Sequence, residues 1–89
     1  MFYVYLLQSI KDQTYYIGYT SDLRKRFEEH NSGKTKSIKH KIPFKLTYYE
    51  AYLTKTAAII RERELKNSAY KKEELIKRAI NNTVPSSSG

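Results

Sequence analysis

Cysteine is missing from this chain of 89 residues, so disulfide bonds and zinc sites built from thiolates are excluded. No stretch approaches the ~20 consecutive apolar residues that cross a bilayer. The first residues also lack the basic flank and cleavage pattern of a signal peptide. We therefore expect a cytoplasmic protein.

Acidic residues are few, 9 against 17 lysines and arginines, and the net charge is +8. A basic excess on this scale attracts polyanions through the release of counterions, whatever the base sequence. The basic residues spread over several elements instead of lining one helix, which argues against an amphipathic membrane helix. The composition indicates either a nucleic-acid-binding protein or a soluble protein with many solvated lysines.

Hydrophobic patterning predicts one domain over residues 1–82. Three segments are rich in the β-forming residues Tyr, Val and Phe, and they cover residues 2–8, 14–20 and 44–53. Three helical segments begin after capping residues or a break, and they cover residues 23–31, about 56–67 and 71–80. The order β-β-α-β-α-α favours an α+β fold, a small three-stranded and mostly antiparallel sheet flanked by helices. Residues 83–89 have no core-forming content, so we expect a disordered tail.

The first helix carries two ionisable residues where apolar ones are expected. The residues at the spacing of a core-facing stripe are Leu23, Arg26, Phe27 and His30. A charge directed at a core costs free energy unless it is paired or faces a cavity. We expect Arg26 and His30 one turn apart, at the edge between the core and a cleft. The alternative is that both merely flank the core, with Arg26 extending outward.

Glu62 is a similar anomaly in the second helix. By helical spacing it shares a stripe with Ala58 and Leu65. Taken alone, its position favours an ordinary ion-pair partner of Arg61, Lys66 or another neighbouring cation.

Tyrosine is abundant, with nine in the chain. Strand periodicity places Tyr3 and Tyr5 on one face of the first strand, while Tyr15 and Tyr16 point to opposite faces of the second. Such tyrosines usually pack with the hydroxyl at the rim of the core. Periodicity leaves open which of them is functional.

Together these residues resemble the GIY-YIG nuclease family. The first family motif corresponds to Tyr3-Val4-Tyr5, in which Tyr3 replaces the glycine, and the second is Tyr16-Ile17-Gly18, unchanged. The arginine that follows falls on Arg26 and the histidine one turn later on His30. The resemblance extends over about residues 2–80.

The second helix carries the remaining family signature. The family's metal-binding glutamate lies in a helix reading roughly Ala-x-x-x-Glu-x-x-Leu-Lys, which residues 58–66 match with Glu62 as the glutamate. Small stand-alone members, similar to the nuclease domain at the start of the bacterial excision-repair incision subunit, resemble this chain best. Many members carry an asparagine after this helix, for which the candidates are Asn67, Asn81 and Asn82.

The resemblance implies metal-dependent hydrolysis of phosphodiester bonds in DNA, in repair or recombination. The implied catalytic residues are Tyr5, Tyr16, Arg26, His30 and Glu62. Glu62 would hold one divalent ion, Mg²⁺ or Mn²⁺. A tyrosine, with Tyr5 the first choice, would activate or orient the attacking water, and nearby positive charge would have to lower its pKa.

A lysine-rich loop supplies the expected DNA contacts. Its lysines are Lys34, Lys36, Lys39 and Lys41. They would bind the phosphate backbone without reading bases, so cutting would be structure-selective or weakly sequence-specific. We expect DNA as the partner and no membrane or small-molecule cofactor. The alternative function is a non-catalytic nucleic-acid-binding module that uses its tyrosines for stacking on bases.

Overall fold

The structure, a computed structural model, describes the backbone of residues 1–83 and the side chains of residues 1–80. Its strands are β1 (Phe2–Ser9), β2 (Tyr15–Thr20) and β3 (Phe44–Tyr52). Its helices are α1 (Leu23–Asn31), a 3-10 helix (Lys36–Lys41), α2 (Lys55–Asn67) and α3 (Ala69–Thr83). The predicted order is confirmed, and the 3-10 helix lies inside the lysine-rich loop. Of the predicted tail, Thr83 ends α3, and residues 84–89 lie outside the described residues.

The sheet has the strand order β2-β1-β3, and both pairings are antiparallel. The predicted α+β fold is therefore confirmed. In the central strand, Tyr5 lies opposite Gly18 of β2 and Tyr49 of β3. The pairing of β1 with β3 shifts register between Leu6 and Leu7.

Helices cover both faces of the sheet. On the face that we call the α2–α3 face, alternate strand residues pack on the two C-terminal helices, and its core residues are Val4, Leu6, Ile17, Ala58, Leu65, Leu75 and Ala79. On the opposite face, which we call the α1 face, the core residues are Tyr5, Leu7, Ile38 and Phe44, with Leu23 and Phe27 of α1 packed against them. This division follows from the two-residue period of a strand, which sends Tyr5 and Leu6 to opposite faces.

The helix boundaries follow from capping. The carboxylate of Asp22 accepts a hydrogen bond from the Lys25 amide at 3.1 Å, and the hydroxyl of Thr54 accepts one from the Ala57 amide at 3.2 Å. The Ser68 hydroxyl accepts one from the Lys71 amide, so α3 begins at Ala69, two residues before the predicted start. Across residues 1–83, every helix is too short or too polar to cross a membrane.

Candidate active site

A buried tyrosine–histidine pair forms the centre of the α1 face. The phenol oxygen of Tyr5 lies 2.8 Å from Nε2 of His30. Only 2% of the Tyr5 surface and none of the His30 surface is exposed. The other ring nitrogen of His30, Nδ1, lies 2.9 Å from the hydroxyl oxygen of Thr35. Both nitrogens are thus hydrogen-bonded, as a buried imidazole requires.

The position of His30 corrects one expectation from the sequence. His30 was expected at the edge between core and cleft, yet it is completely buried between β1 and the segment before the 3-10 helix. Burial lowers its pKa to about 4, with the charge of Arg26 acting in the same direction and that of Glu29 opposing it. A neutral imidazole with both nitrogens satisfied avoids the cost of a buried charge.

Backbone contacts hold α1 in place. The side-chain amide of Asn31, at the end of α1, donates to the carbonyl of Phe44 at 3.0 Å and accepts from the Phe44 amide at 2.7 Å. These two hydrogen bonds join the C-terminal end of α1 to the start of β3. Because His30 directly precedes Asn31, the same two hydrogen bonds also fix the imidazole over the middle strand.

Gly18 makes room for Tyr5. The two residues lie opposite each other in the β1–β2 ladder, and the phenol ring of Tyr5 lies over the glycine. A Cβ atom at position 18 would overlap the phenol oxygen and the ring carbon that carries it. The glycine of Tyr16-Ile17-Gly18 is therefore explained by a close approach of a side chain.

Tyr16 lies on the same face as Tyr5, beside the histidine. Its ring meets the imidazole edge-on at 5.2 Å between centroids and is 6.4 Å from the ring of Tyr5. The Lys66 ammonium of α2 lies 5.7 Å from the centre of the Tyr16 ring. Because β2 is an edge strand, α2 reaches Tyr16 around that edge of the sheet.

Arg26 is the cation nearest to the tyrosine–histidine pair. Its side chain is 39% exposed and pairs with Glu29 at 3.2 Å. Burial raises the pKa of Tyr5 to about 12, while a hydrogen bond and the charge of Arg26 work against that rise. Tyr5 is therefore protonated at neutral pH, and the expected lowering of its pKa by positive charge is outweighed by burial.

Glu62 approaches the site from α2. Its side chain is 16% exposed and pairs with Lys66 at 3.2 Å. The Glu62 charge is one of the contributions that raise the pKa of Tyr5, although α2 packs on the face opposite to the one that the Tyr5 side chain occupies. Within the described residues, no three His, Cys, Asp or Glu side chains cluster as metal ligands. A single carboxylate of this kind suits Mg²⁺, which keeps most of its water ligands.

A carboxylate on β3 fixes the helix that carries Glu62. Glu50 forms two hydrogen bonds with the guanidinium of Arg61, at 2.9 and 3.1 Å. It also accepts bonds from the hydroxyls of Tyr52 at 2.6 Å and Tyr48 at 3.1 Å. Burial alone would raise the pKa of Glu50, but the bonds from Arg61 and Tyr52 outweigh it and lower that pKa. Since Arg61 precedes Glu62, this partly buried ion pair orients α2 on the sheet.

The lysines of the loop differ in their surroundings. Lys34, Lys36 and Lys39 are exposed. Lys41 is partly buried, and its ammonium pairs with Asp12 at 3.3 Å and donates to the Thr14 hydroxyl at 2.9 Å.

The remaining asparagine candidates are not brought to the site by the described contacts. Asn67 is exposed at the end of α2. The side chains of Asn81 and Asn82 lie outside the described residues.

Sequence reasoning missed three residues that hold the site together: Thr35, Glu50 and Asn31. Their partners are distant in the chain or lie in a loop without periodicity, so hydrophobic spacing gave no signal for them. Only the residue type of Glu50, a carboxylate within an aromatic strand, could have drawn attention to it.

The fold and these residues define a GIY-YIG catalytic domain. The family model described as "GIY-YIG catalytic domain" matches residues 1–78, and the chain belongs to this nuclease family.

Its relatives are small UPF0213 proteins. One from Streptococcus pyogenes serotype M3 is 39% identical over 74 residues, which is 82% of this chain and 79% of the relative. Another, from Haloquadratum walsbyi, is 36% identical over 73 residues, 81% of each chain. The solution NMR structure of a UPF0213 protein from Bacillus halodurans is 37% identical, covers 99% of this chain and 100% of its own, and has a TM-score of 0.57.

Proposed function

We propose that this protein is a divalent-metal-dependent DNA endonuclease that hydrolyses phosphodiester bonds, with structure-selective or weak sequence-specific cutting, in DNA repair or recombination in the cytoplasm. The observation that carries the proposal is the buried Tyr5–His30 pair with the Arg26 guanidinium beside it. A binding module has no need to bury a histidine, satisfy both its nitrogens and place a cation next to it. These are the parts that proton transfer at a phosphodiester requires.

The first step we propose is activation of water by Tyr5 and His30. A water proton passes to the phenol oxygen of Tyr5 while the Tyr5 proton passes to Nε2 of His30. The oxygen of the water bonds to phosphorus, and the bond from phosphorus to the leaving oxygen breaks. The depressed pKa of His30 keeps it neutral before the step, which an acceptor requires. The low pKa also favours early release of this proton from His30 to solvent. The leaving oxygen takes up a proton from solvent.

Arg26 stabilises the charge that builds on the phosphate. A guanidinium is always protonated and can donate two parallel hydrogen bonds to non-bridging oxygens. The present partner of Arg26 is Glu29, at a partly exposed surface. Phosphate would replace that carboxylate, and the exchange is inexpensive because exposed ion pairs contribute about 0–1 kcal/mol.

Glu62 is the residue that would hold the divalent ion. When bound, Mg²⁺ or Mn²⁺ supplies Lewis-acid stabilisation of the phosphate and leaving oxygen. Binding requires Glu62 to release Lys66, whose ammonium lies 3.2 Å away. The freed Lys66 remains beside the Tyr16 ring, where it adds positive charge near the substrate.

The two tyrosines have separable roles in this proposal. Tyr5 is hydrogen-bonded to His30 and is almost fully buried, whereas Tyr16 touches the histidine only through its ring and is half-buried. We assign proton transfer to Tyr5 and positioning of water or phosphate to Tyr16. Comparing Tyr5→Phe with Tyr16→Phe tests the division: Tyr5→Phe loses the larger share of kcat, and Tyr16→Phe raises KM. A larger kcat loss in Tyr16→Phe reverses the assignment.

DNA binding is assigned to the exposed lysines of the loop, Lys34, Lys36 and Lys39, together with Lys41 if its pair with Asp12 opens. Lysine contacts to phosphate carry no sequence information. A domain of this size also offers little surface for reading a long site. Both points support selectivity for DNA structure.

The decisive experiment is cleavage of labelled single-stranded, duplex, flap and branched DNAs with Mg²⁺ or Mn²⁺. Wild type is compared with Glu62→Gln and with Glu64→Gln as the matched control. Glu64 lies two residues away on the same helix, is 44% exposed and pairs with Lys71 at 3.8 Å. We expect metal-dependent cutting by wild type and Glu64→Gln, and at least a 100-fold loss in Glu62→Gln, the order of one key group at an active site.

Two results would reject the proposal. Cutting by Glu62→Gln at the wild-type rate would remove Glu62 from the metal site. Salt-sensitive binding to DNA with no cutting by any variant, in any of the metals, would favour the non-catalytic nucleic-acid-binding module.

A further inference from the structure

Thr35 stands at the start of the 3-10 helix, where a threonine side chain usually caps the backbone. Its backbone is extended, as at an N-cap, but its hydroxyl makes no capping bond. The hydroxyl oxygen lies 2.9 Å from Nδ1 of His30 instead. The side chain is thus directed toward the histidine at the expense of the local helix.

The direction of the hydrogen bonds follows from Tyr5. Its phenol group carries one proton that it can donate. A buried hydroxyl proton needs an acceptor, and among the described residues the phenol lies within hydrogen-bonding distance of Nε2 of His30, at 2.8 Å. Tyr5 is 2% exposed, so before substrate binds its proton needs an acceptor within the protein. Nε2 is then the bare nitrogen, and the single proton of the neutral ring lies on Nδ1.

The opposite arrangement leaves a buried donor unsatisfied. If Nε2 carried the proton and donated to Tyr5, the phenol proton would have no acceptor. Thr35, by contrast, is half-buried, so it can accept from Nδ1 and turn its own proton toward solvent. Buried polar groups are nearly always paired, and only one tautomer pairs them all.

We infer that Thr35 is a positioning residue that sets the tautomer of His30: its hydroxyl oxygen accepts the Nδ1 proton and so reserves Nε2 as the acceptor for the proton of Tyr5. The consequence for catalysis rests on the proposed nuclease function; the tautomer itself does not. In the proposed step, the same contact stabilises His30 while it holds the second proton, because the Nδ1–H bond to Thr35 is already formed.

The segment around Thr35 is anchored on both sides. Asn31 is bound to the backbone of Phe44. Gly33 turns the chain with a φ of +84°, a conformation that favours glycine. Ile38 is buried in the core of the α1 face. With these three points fixed, the position of the Thr35 hydroxyl is set by the fold and not by a flexible loop.

Histidine ¹⁵N spectroscopy tests the inference directly. The chain has 2 histidines, and the exposed His40 provides an internal reference. Long-range proton–nitrogen correlation distinguishes a protonated ring nitrogen from a bare one. We expect protonated Nδ1 and bare Nε2 for His30 in wild type and in Thr35→Ser. In Thr35→Val, which keeps the shape and loses the acceptor, both signals move toward each other as the other tautomer becomes populated.

Thr47→Val is the matched control. Thr47 also loses one hydroxyl bond on becoming valine, a 2.8 Å bond to the carbonyl of Leu6, but it does not touch His30. We expect unchanged His30 signals in this variant. Identical changes in both valine variants would point to general loosening and overturn the inference.

Two further outcomes decide between tautomer and function. A proton on Nε2 in wild type, or unchanged His30 signals in folded Thr35→Val, overturns the inference even if the protein is a nuclease. If wild type cuts DNA, Thr35→Val lowers kcat about five- to tenfold with little change in KM, the scale of one lost hydrogen bond, and Thr35→Ser restores it. If wild type cuts nothing, the proposed function fails and the ¹⁵N result still stands.

Discussion

The two faces of the sheet are built on different principles. The α2–α3 face is closed by aliphatic residues and small alanines, such as Leu65, Leu75 and Ala79. The α1 face has a smaller core, with four buried residues against seven, and it buries polar groups, among them His30 and the hydroxyl of Tyr5. The α2–α3 face stabilises the fold by burying apolar groups. The α1 face buries hydrogen-bonded polar groups in part of its interior, and these groups are available for chemistry.

This difference indicates which substitutions change the stability of the domain and which change its site. Apolar burial stabilises by about 25 cal/mol for each Å² and is tolerant of direction. Buried hydrogen bonds add little net stability, yet they are exacting in geometry. Changes on the α2–α3 face are therefore expected to act on unfolding, and changes on the α1 face on the site.

Leu75→Ala gives the largest expected effect on stability. Leu75 is 3% exposed and belongs to the core of the α2–α3 face, in which none of the proposed catalytic residues is included. We expect a loss of about 2–5 kcal/mol in the free energy of unfolding, as for other buried leucines, with unchanged cleavage by each folded molecule. Denaturant unfolding and cleavage at low temperature measure the two quantities. Activity lost ahead of structure would contradict the separation of the faces.

Gly18→Ala is expected to act in the opposite way. The added Cβ overlaps the phenol of Tyr5 and pushes it from His30. We expect about a 100-fold loss of cleavage, comparable to losing a catalytic acid–base group. Gly33→Ala is the comparison, since its Cβ would meet open space, with Lys39 at 4.0 Å, while its φ of +84° costs roughly 1 kcal/mol of stability. Because Gly33 helps to place Thr35, we expect at most the five- to tenfold loss proposed for Thr35→Val. Equal losses of cleavage in the two alanine variants would argue against the close contact as the cause.

A pH titration of stability is expected to single out the α1 face. The pKa of His30 is about 4 when folded and near 6.5 when unfolded. Between these values the unfolded chain binds more protons, so stability falls as the pH drops from about 6.5 to 4, by about 1–3 kcal/mol. Glu50, whose pKa is lowered by folding, contributes only below about 4.5. In His30→Gln the slope above pH 4.5 disappears; a slope that persists there assigns it to another group.

The smallest effects are expected from the loop lysines. Lys36 is exposed, whereas Lys41 is paired with Asp12. Lys36→Ala weakens DNA binding a few-fold and lowers the slope of log Kd against log salt by about 1. Lys41→Ala changes both less, because its charge is already engaged. Binding titrations at several salt concentrations compare them, and a larger effect of Lys41 would place the DNA nearer the β1–β2 turn.

Periodicity predicted the fold well because strands and helices leave regular signatures. The alternation in β1 placed Tyr5 and Leu6 on opposite faces, and caps such as Asp22 marked helix starts. The helix stripe also pointed to His30, but spacing alone could not distinguish a cleft edge from a satisfied interior position. That distinction depended on Thr35, which lies in an irregular segment. Loop contacts of this kind are set by tertiary structure, which local patterns do not encode.

The central strand has a consequence for the way the protein ages in storage or on warming. β1 is hydrogen-bonded on both sides, so Tyr5 sits in the part of the domain expected to open last. His30 and Thr35, which complete this hydrogen-bonded group, lie on α1 and at the start of the 3-10 helix. Both are short elements with many exposed side chains. Sub-global opening would detach His30 and Thr35 while the sheet persists. A preparation can then retain its strand signal in circular dichroism and be inert, so shelf life is better judged by the state of the histidine than by secondary structure.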